Sequence, residues 1–442
     1  MSSPVIVIGA GLAGSEAAWQ VAESGRDVVL YEMRPHKSTT AHQTDQPAEL
    51  VCSNSLKSEA ENSAPRQLKQ ELRRLGSMLL AAADAARVPG GQALTVDREV
   101  FSKYIVDRLS NHPRITIRRE EITQVPASGT VIIASGPLTS DPLAQDIARL
   151  TGSDRLYFYD AISPIVDAES IDYSIAFRAS RYGKSMDDSA DYVNCPLNKA
   201  EYEAFIAALL EAQSYEPHIP EDNTPYFESC LPIDQIVRRG PHTLRFGPMK
   251  PTGLDDPRTG RWPYAAVQLR QENLRADSYN LVGFQTSLKF GEQARIFRMI
   301  PGLQNAVFLR YGQIHRNTYI NAPALLNHFL QLRAEPRIYF AGQISGVEGY
   351  VESIATGLLA GQFAVNPAPR PLPRETALGS LLHYITGADP KHYQPANITF
   401  DLLPALDEPT RKALRKDKKA RHAEVCRRAT VALDEYLAPV PA

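Results

Sequence analysis

Residues 5–32 constrain the fold of this chain more than any other stretch. Val5-Ile6-Val7-Ile8 is a continuous apolar run, as expected of a parallel strand buried on both faces. Gly9-Ala10-Gly11-Leu12-Ala13-Gly14 follows at once, Ser15 to Ala22 reads as a helix closed by Gly25, and Val28-Val29-Leu30-Tyr31 makes a second strand ending at Glu32. Strand, glycine turn, helix, strand is the order that a dinucleotide-binding unit requires. Gly9 permits the tight turn, Gly11 lets a pyrophosphate approach the backbone, and Gly14 lets helix and strand pack closely. The helix N-terminus offers N–H groups and partial positive charge to phosphates. Glu32 can accept hydrogen bonds from a ribose diol and would repel a 2′-phosphate, so FAD or NAD is expected here rather than NADP. The bland alternative is a glycine turn that binds nothing.

Two later segments favour FAD. Val131-Ile132-Ile133-Ala134-Ser135-Gly136-Pro137 resembles the strand-to-glycine crossing of two-dinucleotide-fold flavoproteins. Arg337-Ile338-Tyr339-Phe340-Ala341-Gly342 reads as a strand returning to the ribityl chain, where Gln343 can hydrogen-bond a hydroxyl. Ser345-Gly346-Val347-Glu348-Gly349-Tyr350 then leads into a helix from Val351 to Ala360, whose N-terminus would face the flavin pyrimidine edge. The expected cofactor-binding residues are Gly9, Ala10, Gly11, Leu12, Ala13, Gly14, Glu32, Gly136, Gly342, Gln343, Gly349 and Tyr350.

The expected class is α/β: a Rossmann-like FAD-binding domain carrying an α+β insertion domain. Residues 1–150 form the first part of the FAD domain, 151–330 the insertion, 331–370 the return segment, and 371–442 a helical basic tail. Between the glycine turn and residue 135, one helical stretch runs from about Ser63 to Ala86, with Leu68, Leu72, Leu75 and Leu79 at helical spacing and Arg66, Lys69, Arg73 and Arg74 between them. Another starts near Asp97, and Ile115-Thr116-Ile117 follows as a strand. The insertion mixes strand-like runs (residues 173–177 and 280–284) with one clear helix, Lys199 to Ala212. No apolar stretch approaches the ~18 residues that span a bilayer, and the N-terminus carries no basic leader. A soluble cytoplasmic protein without a membrane partner is expected.

Four cysteines, with no CxxC pair and no zinc spacing, argue against a disulfide framework or a metal site. Cys52 sits in a polar loop with Ser53, Asn54, Ser55 and Lys57; Cys230 precedes Arg238 and Arg239. Nearby cations lower a thiol's pKa, so either is a nucleophile or a buried small hydrophobe. Cys195 and Cys426 read as structural. The 48 Lys and Arg against 50 Asp and Glu exclude a chain that coats nucleic acid, yet permit one basic face. From Arg411 to Thr430 runs the strongest charge cluster, including Arg415, Lys416, Lys418 and Lys419, while Cys426, Ala429, Leu433 and Leu437 share one helical face for docking. That run is either a solvated helix face or a phosphate-binding surface.

The segments Gly9 to Ala18, Leu50-Val51-Cys52-Ser53-Asn54-Ser55, Arg310 to Pro323 (with His315-Arg316-Asn317-Thr318-Tyr319) and Ala341 to Tyr350 together resemble the flavin- and folate-dependent tRNA (uracil-5-)-methyltransferases. The resemblance runs through most of the chain and includes the basic tail. It implies C5-methylation of uridine 54 in the tRNA T-loop to ribothymidine, with 5,10-methylenetetrahydrofolate as carbon donor. It implies that reduced FAD provides the hydride and NAD(P)H re-reduces the flavin. It places the thiolate that adds at uracil C6 on Cys230. Cys52 is implied as the base removing the C5 proton, or as a partner of a flavin-bound methylene. His315 could stack on the folate pterin, and the tail could contact tRNA. The alternatives are a related flavoprotein that modifies wobble uridines and a flavin oxidoreductase acting on a small molecule.

Overall fold

The structure is a computed structural model describing residues 3–39, 41–152, 156–186, 190–215 and 231–438. A six-stranded sheet runs in the spatial order Gln331–Leu332, Glu335–Phe340, Val131–Ile133, Val5–Ile8, Val28–Glu32, Ile115–Arg119. All its pairings are parallel except the antiparallel hairpin at the Gln331–Leu332 edge. Val5, Val7 and Val131 to Ile133 are fully buried, as helices cover both faces of such sheets. Chain order reverses on either side of Val5–Ile8, which opens a crevice at the carboxyl ends of the strands.

The glycine turn has the expected roles. Gly9 holds φ +99°, and a Cβ there would meet the Ala134 carbonyl oxygen at 2.6 Å. A Cβ on Gly14 would come within 1.7 Å of the Gly9 oxygen. The same principle recurs where Leu12–Glu23 packs against the long helix Tyr350–Val365. A Cβ on Gly357 would lie 2.2 Å from the Ala13 oxygen, and one on Gly361 2.7 Å from the Ala17 oxygen. Four residues apart on one helix face, these two glycines let the backbones touch.

A second sheet is antiparallel throughout, in the order Phe177–Ala179, Tyr192–Leu197, Ala265–Gln271, Ser278–Leu281, Ile165–Asp167, Phe308–Arg310. Helices Lys199–Glu211 and Phe290–Phe297 contribute to its own core, which draws on residues between Val166 and Ala306. The core of the parallel sheet draws on Val5 to Ile147 and again on Tyr319 to Ala429. The chain passes between the two cores through paired antiparallel strands, Leu156–Ala161 and Ile314–Tyr319, in which His315 stands opposite Asp160.

Several local expectations need correction. The stretch from Ser63 to Ala86 is two helices, Ala64–Arg74 and Met78–Ala85, because Gly76 adopts φ +77° and Ser77 caps the second. Within the first, Lys69 is not a surface cation: its ammonium is buried and donates to the carbonyls of Leu56 (2.9 Å), Lys57 (3.3 Å) and Ser58 (2.7 Å). Residues 173–175 turn and the strand begins at Phe177, while the run expected over 280–284 is the end of the strand Ser278–Leu281 followed by a turn at 282–283. The segment from 371 onward forms three helices: Ala377–Gly387, buried in the core of the parallel sheet, then Glu408–Ala413 and Lys418–Leu437; the last docks through Cys426, Ala429 and Leu433, while Leu437 is 41% exposed.

Gly357→Ala should lower stability by about 1–3 kcal/mol, the usual cost of overpacking, and weaken FAD retention. Chemical denaturation and the flavin-to-protein absorbance ratio measure both effects; unchanged values would show that the helices have room to separate.

Candidate active site

A cleft of about 1040 Å³ opens at the crevice of the parallel sheet. Its wall includes Gly9 to Ala13, Glu32, Gly136, Gly342, Gln343 and Tyr350. A Cβ on Gly11 would meet nothing within 4 Å, so no packing demands glycine there; a side chain would instead fill the space before the helix N-terminus. The first helical turn carries no acidic side chain. These features suit a pyrophosphate. Glu32 lines the cleft, but its carboxylate is engaged by Arg34, through the backbone N–H (3.0 Å) and the guanidinium (2.9 and 3.1 Å). Burial opposes ionisation of Glu32, yet Arg34 outweighs it and holds the carboxyl below its ordinary range.

A second cavity, of about 890 Å³, shares Val51, Pro137, Leu138, Gln343 and Tyr350 with the cleft. Into it open Cys52, Lys57, Asp160, His315, Asn317, Glu348 and Gly349. Cys52 is held by Tyr350, whose hydroxyl oxygen accepts the N–H groups of Cys52 (2.8 Å) and Ser53 (3.1 Å) and lies 2.9 Å from the Cys52 sulfur. With its lone pairs so used, the phenol donates its own proton to the sulfur.

The cysteine loop is fixed from both cores. Lys69 pins the strand Ser55–Ser58 from below, at a cost: burial brings its ammonium pKa down to about 8. From the second sheet, Arg270 donates to the Asn54 side chain (2.9 Å) and the Ser53 hydroxyl (2.7 Å). Asn54 in turn donates to the carbonyls of Val96 (3.1 Å) and Gln271 (2.9 Å). Arg270 and Lys69 were missed in the sequence, though a charge inside the otherwise buried strand Ala265–Gln271 was a usable signal.

Electrostatics depart from expectation. Burial, and then the Asp160 charge, push the Cys52 thiol up to about 12; the Tyr350 hydrogen bond and Arg98 only partly offset them. Lys57, the expected cation, is instead paired with the buried Glu352 at 2.7 Å. Glu348 is raised well above the carboxylate range by burial and by Asp160, and accepts a hydrogen bond from Gln343. His315 presents a buried Nε2 without a hydrogen-bond partner, and burial together with Arg310 and His42 lowers its pKa to about 4. His42, on the wall of the cleft, is also lowered to about 4, by burial and Arg34.

Of the other cysteines, Cys195 and Cys426 are buried in core packing, and burial raises them to about 12 and about 11. Cys230 lies outside the described residues. Arg415, Lys416, Lys418 and Lys419 are all exposed on the tail. Among the described residues no helix is long and apolar enough to cross a membrane.

A parallel sheet with a glycine cradle, continuous with a thiol-bearing cavity, defines a Rossmann-like FAD-binding flavoprotein. A family model described as "Glucose inhibited division protein A" (GIDA) matches residues 4–369. The chain is 67% identical over 440 residues to the methylenetetrahydrofolate--tRNA-(uracil-5-)-methyltransferase TrmFO of Solibacter usitatus, covering 99% of each. It is 60% identical over 443 residues to the TrmFO of Koribacter versatilis, again covering 99% of each. The solved structure of Aquifex aeolicus GidA superposes with a TM-score of 0.68 at 17% identity, covering 98% of this chain and 75% of that one; this likeness concerns the fold. The chain belongs to the GIDA family and to the TrmFO family of methyltransferases.

Two predictions follow from the geometry. Tyr350→Phe orphans two backbone N–H groups and the sulfur's donor, so stability should fall by about 1–3 kcal/mol. Alkylation of Cys52 should then need higher pH than in the wild type, as pH-dependent iodoacetamide labelling at Cys52 would read. His42 and His315 are depressed from 6.5 to about 4 in the folded protein. The unfolded chain therefore binds protons first as pH falls; the stability they support is complete above pH 6.5 and is lost progressively towards pH 4. Each contributes a slope of at most about 1.4 kcal/mol per pH unit, which His315→Gln should reduce in denaturation curves across that window.

Proposed function

We propose that this chain methylates C5 of uridine 54 in the T-loop of tRNA, producing ribothymidine. The enzyme is a methylenetetrahydrofolate--tRNA-(uracil-5-)-methyltransferase, and its cofactors are FAD and 5,10-methylenetetrahydrofolate. The observation carrying the finer reading is the wall shared by the dinucleotide cleft and the Cys52 cavity, which lets a flavin ring and a sulfur meet one pyrimidine. When bound, reduced FAD supplies the hydride that converts the transferred one-carbon unit to a methyl group, and NAD(P)H regenerates it.

The chain's own residues do the rest. Cys230 adds as thiolate to uracil C6, which makes C5 nucleophilic towards the carbon unit. Cys52 removes the C5 proton once the new bond has formed, tetrahydrofolate leaves the one-carbon unit, and the C6–sulfur bond breaks as the methyl group is completed, returning Cys230 as thiolate. To take the proton Cys52 must ionise, and the Tyr350 hydroxyl and Arg98 favour this against burial, Asp160 and Glu348. A protonated Glu348 removes one of the opposing charges. His315, neutral at pH 7, offers a flat face to the pterin without adding charge. Gly9 to Gly14, Gly136, Gly342, Gln343 and Gly349 hold the dinucleotide, with Glu32 at its ribose. Arg415, Lys416, Lys418 and Lys419 meet tRNA phosphates.

Incubation with labelled methylenetetrahydrofolate, NADPH and unmodified tRNA should place label at position 54. Label in the anticodon loop would favour the wobble-uridine reading. NADPH oxidation by a small acceptor with no labelled RNA would favour a small-molecule oxidoreductase. Cys230→Ala should abolish the label, by more than about a hundredfold, while the protein stays yellow; near-normal turnover would overturn the assignment of the nucleophile.

A further inference from the structure

Away from the cavity, the second domain displays large rings in water. Tyr182 is 58% exposed, Trp262 51% and Phe246 80%. The first two are fixed rather than loose: their rings meet edge to face with centroids 6.5 Å apart. Tyr182 holds φ +57°, an uncommon conformation for a bulky residue. Its ring covers Gly253, where a Cβ would come within 2.8 Å of it, and its backbone N–H donates to the Gly253 carbonyl at 2.7 Å. A backbone held in this way, to keep a tyrosine facing solvent, points to a use for the ring.

Among the described residues the surroundings are rich in cations. The Lys184 ammonium lies 5.8 Å from the centre of the Tyr182 ring. Arg181 donates to the Lys250 carbonyl at 2.9 Å and so ties the Lys250 turn to the Tyr182 turn. Lys184, Lys250 and Arg261 are exposed. Of the two acids in that turn, Asp256 is held by Arg258 at 2.7 Å, which leaves the exposed Asp255. Trp262 sits just before the strand Ala265–Gln271, at whose far end Arg270 grips the cysteine loop.

We propose that Tyr182 and Trp262, with Lys184, Lys250 and Arg261 exposed on the same turns, form a stacking platform for unpaired nucleotides of the tRNA substrate. The proposal rests on the reading above that the substrate is tRNA. Exposed rings among cations suit a polyanion with π faces. A second copy of the chain would set the same cations against each other.

The chain has two tryptophans, so Trp19→Phe leaves Trp262 as sole reporter. Titration with an unmethylated T-arm stem-loop should quench its fluorescence in step with binding measured by anisotropy of labelled RNA, whereas the blunt duplex of the same stem should not. Tyr182→Ala with Trp262→Ala should weaken tRNA binding about tenfold or more, raise KM, and leave kcat within about twofold and the flavin spectrum unchanged. Lys184→Gln with Arg261→Gln should reduce the salt slope of binding by about 2. An unquenched Trp262 at saturating RNA, or wild-type affinity in the double alanine variant, would overturn the platform. So would an altered oligomeric state with RNA affinity unchanged. Quenching without methyl transfer would leave the platform standing and defeat the functional reading; methyl transfer without quenching would do the reverse.

Discussion

The site depends on how closely two helices approach. Gly357 and Gly361 bring the Tyr350–Val365 helix onto the backbone of Leu12–Glu23, whose N-terminus faces the cleft. That contact sets where the second helix begins, and it begins at Tyr350. The phenol there carries the Cys52 backbone and faces its sulfur. One packing contact thus sets the separation between a phosphate cradle and a thiol, and any residue larger than glycine at position 357 would move both.

The thiol is also braced from the other core. Arg270 reaches out of the antiparallel sheet to Ser53 and Asn54, while the two strands that join the cores present His315 and Asp160 to the same cavity. The site is therefore assembled at a junction, the usual place for a ligand pocket. Neither core alone would hold it: the parallel sheet supplies the dinucleotide cradle, and the connecting strands and Arg270 supply the walls around the sulfur.

The dinucleotide unit was legible because its constraints are local. A buried strand, a turn that excludes Cβ atoms and a helix must follow one another within about thirty residues, and Gly9 and Gly14 have the roles their spacing implies. The order of the sheet's strands beyond that unit, and the pairing of Leu156–Ala161 with Ile314–Tyr319, depend on contacts far apart in sequence and leave no periodic trace. Lys69 shows the same limit in miniature. Among arginines on an amphipathic helix it reads as a solvated cation, and only the fold shows three carbonyls waiting for its three protons. Cys52 was legible as a site residue from its polar neighbours, but the same neighbours misled on its acidity, because Lys57 turns away to Glu352.

That misreading bears on how such a cavity does chemistry. A thiol made acidic by a nearby lysine would be ionised at all times and open to oxidation. Here burial and then the Asp160 charge keep the sulfur protonated, and the groups that oppose them, Tyr350 and Arg98, are already in place. Glu348 shares the penalty of burial and takes up its proton for the same reason. The low dielectric that suppresses ionisation also magnifies every charge brought in. Of the two buried guanidiniums near the sulfur, Arg98 is paired with Glu272 at 2.8 Å, while Arg310 is lowered by burial and by Arg98. The cavity thus holds its sulfur protonated until a charge brought in from outside changes the balance.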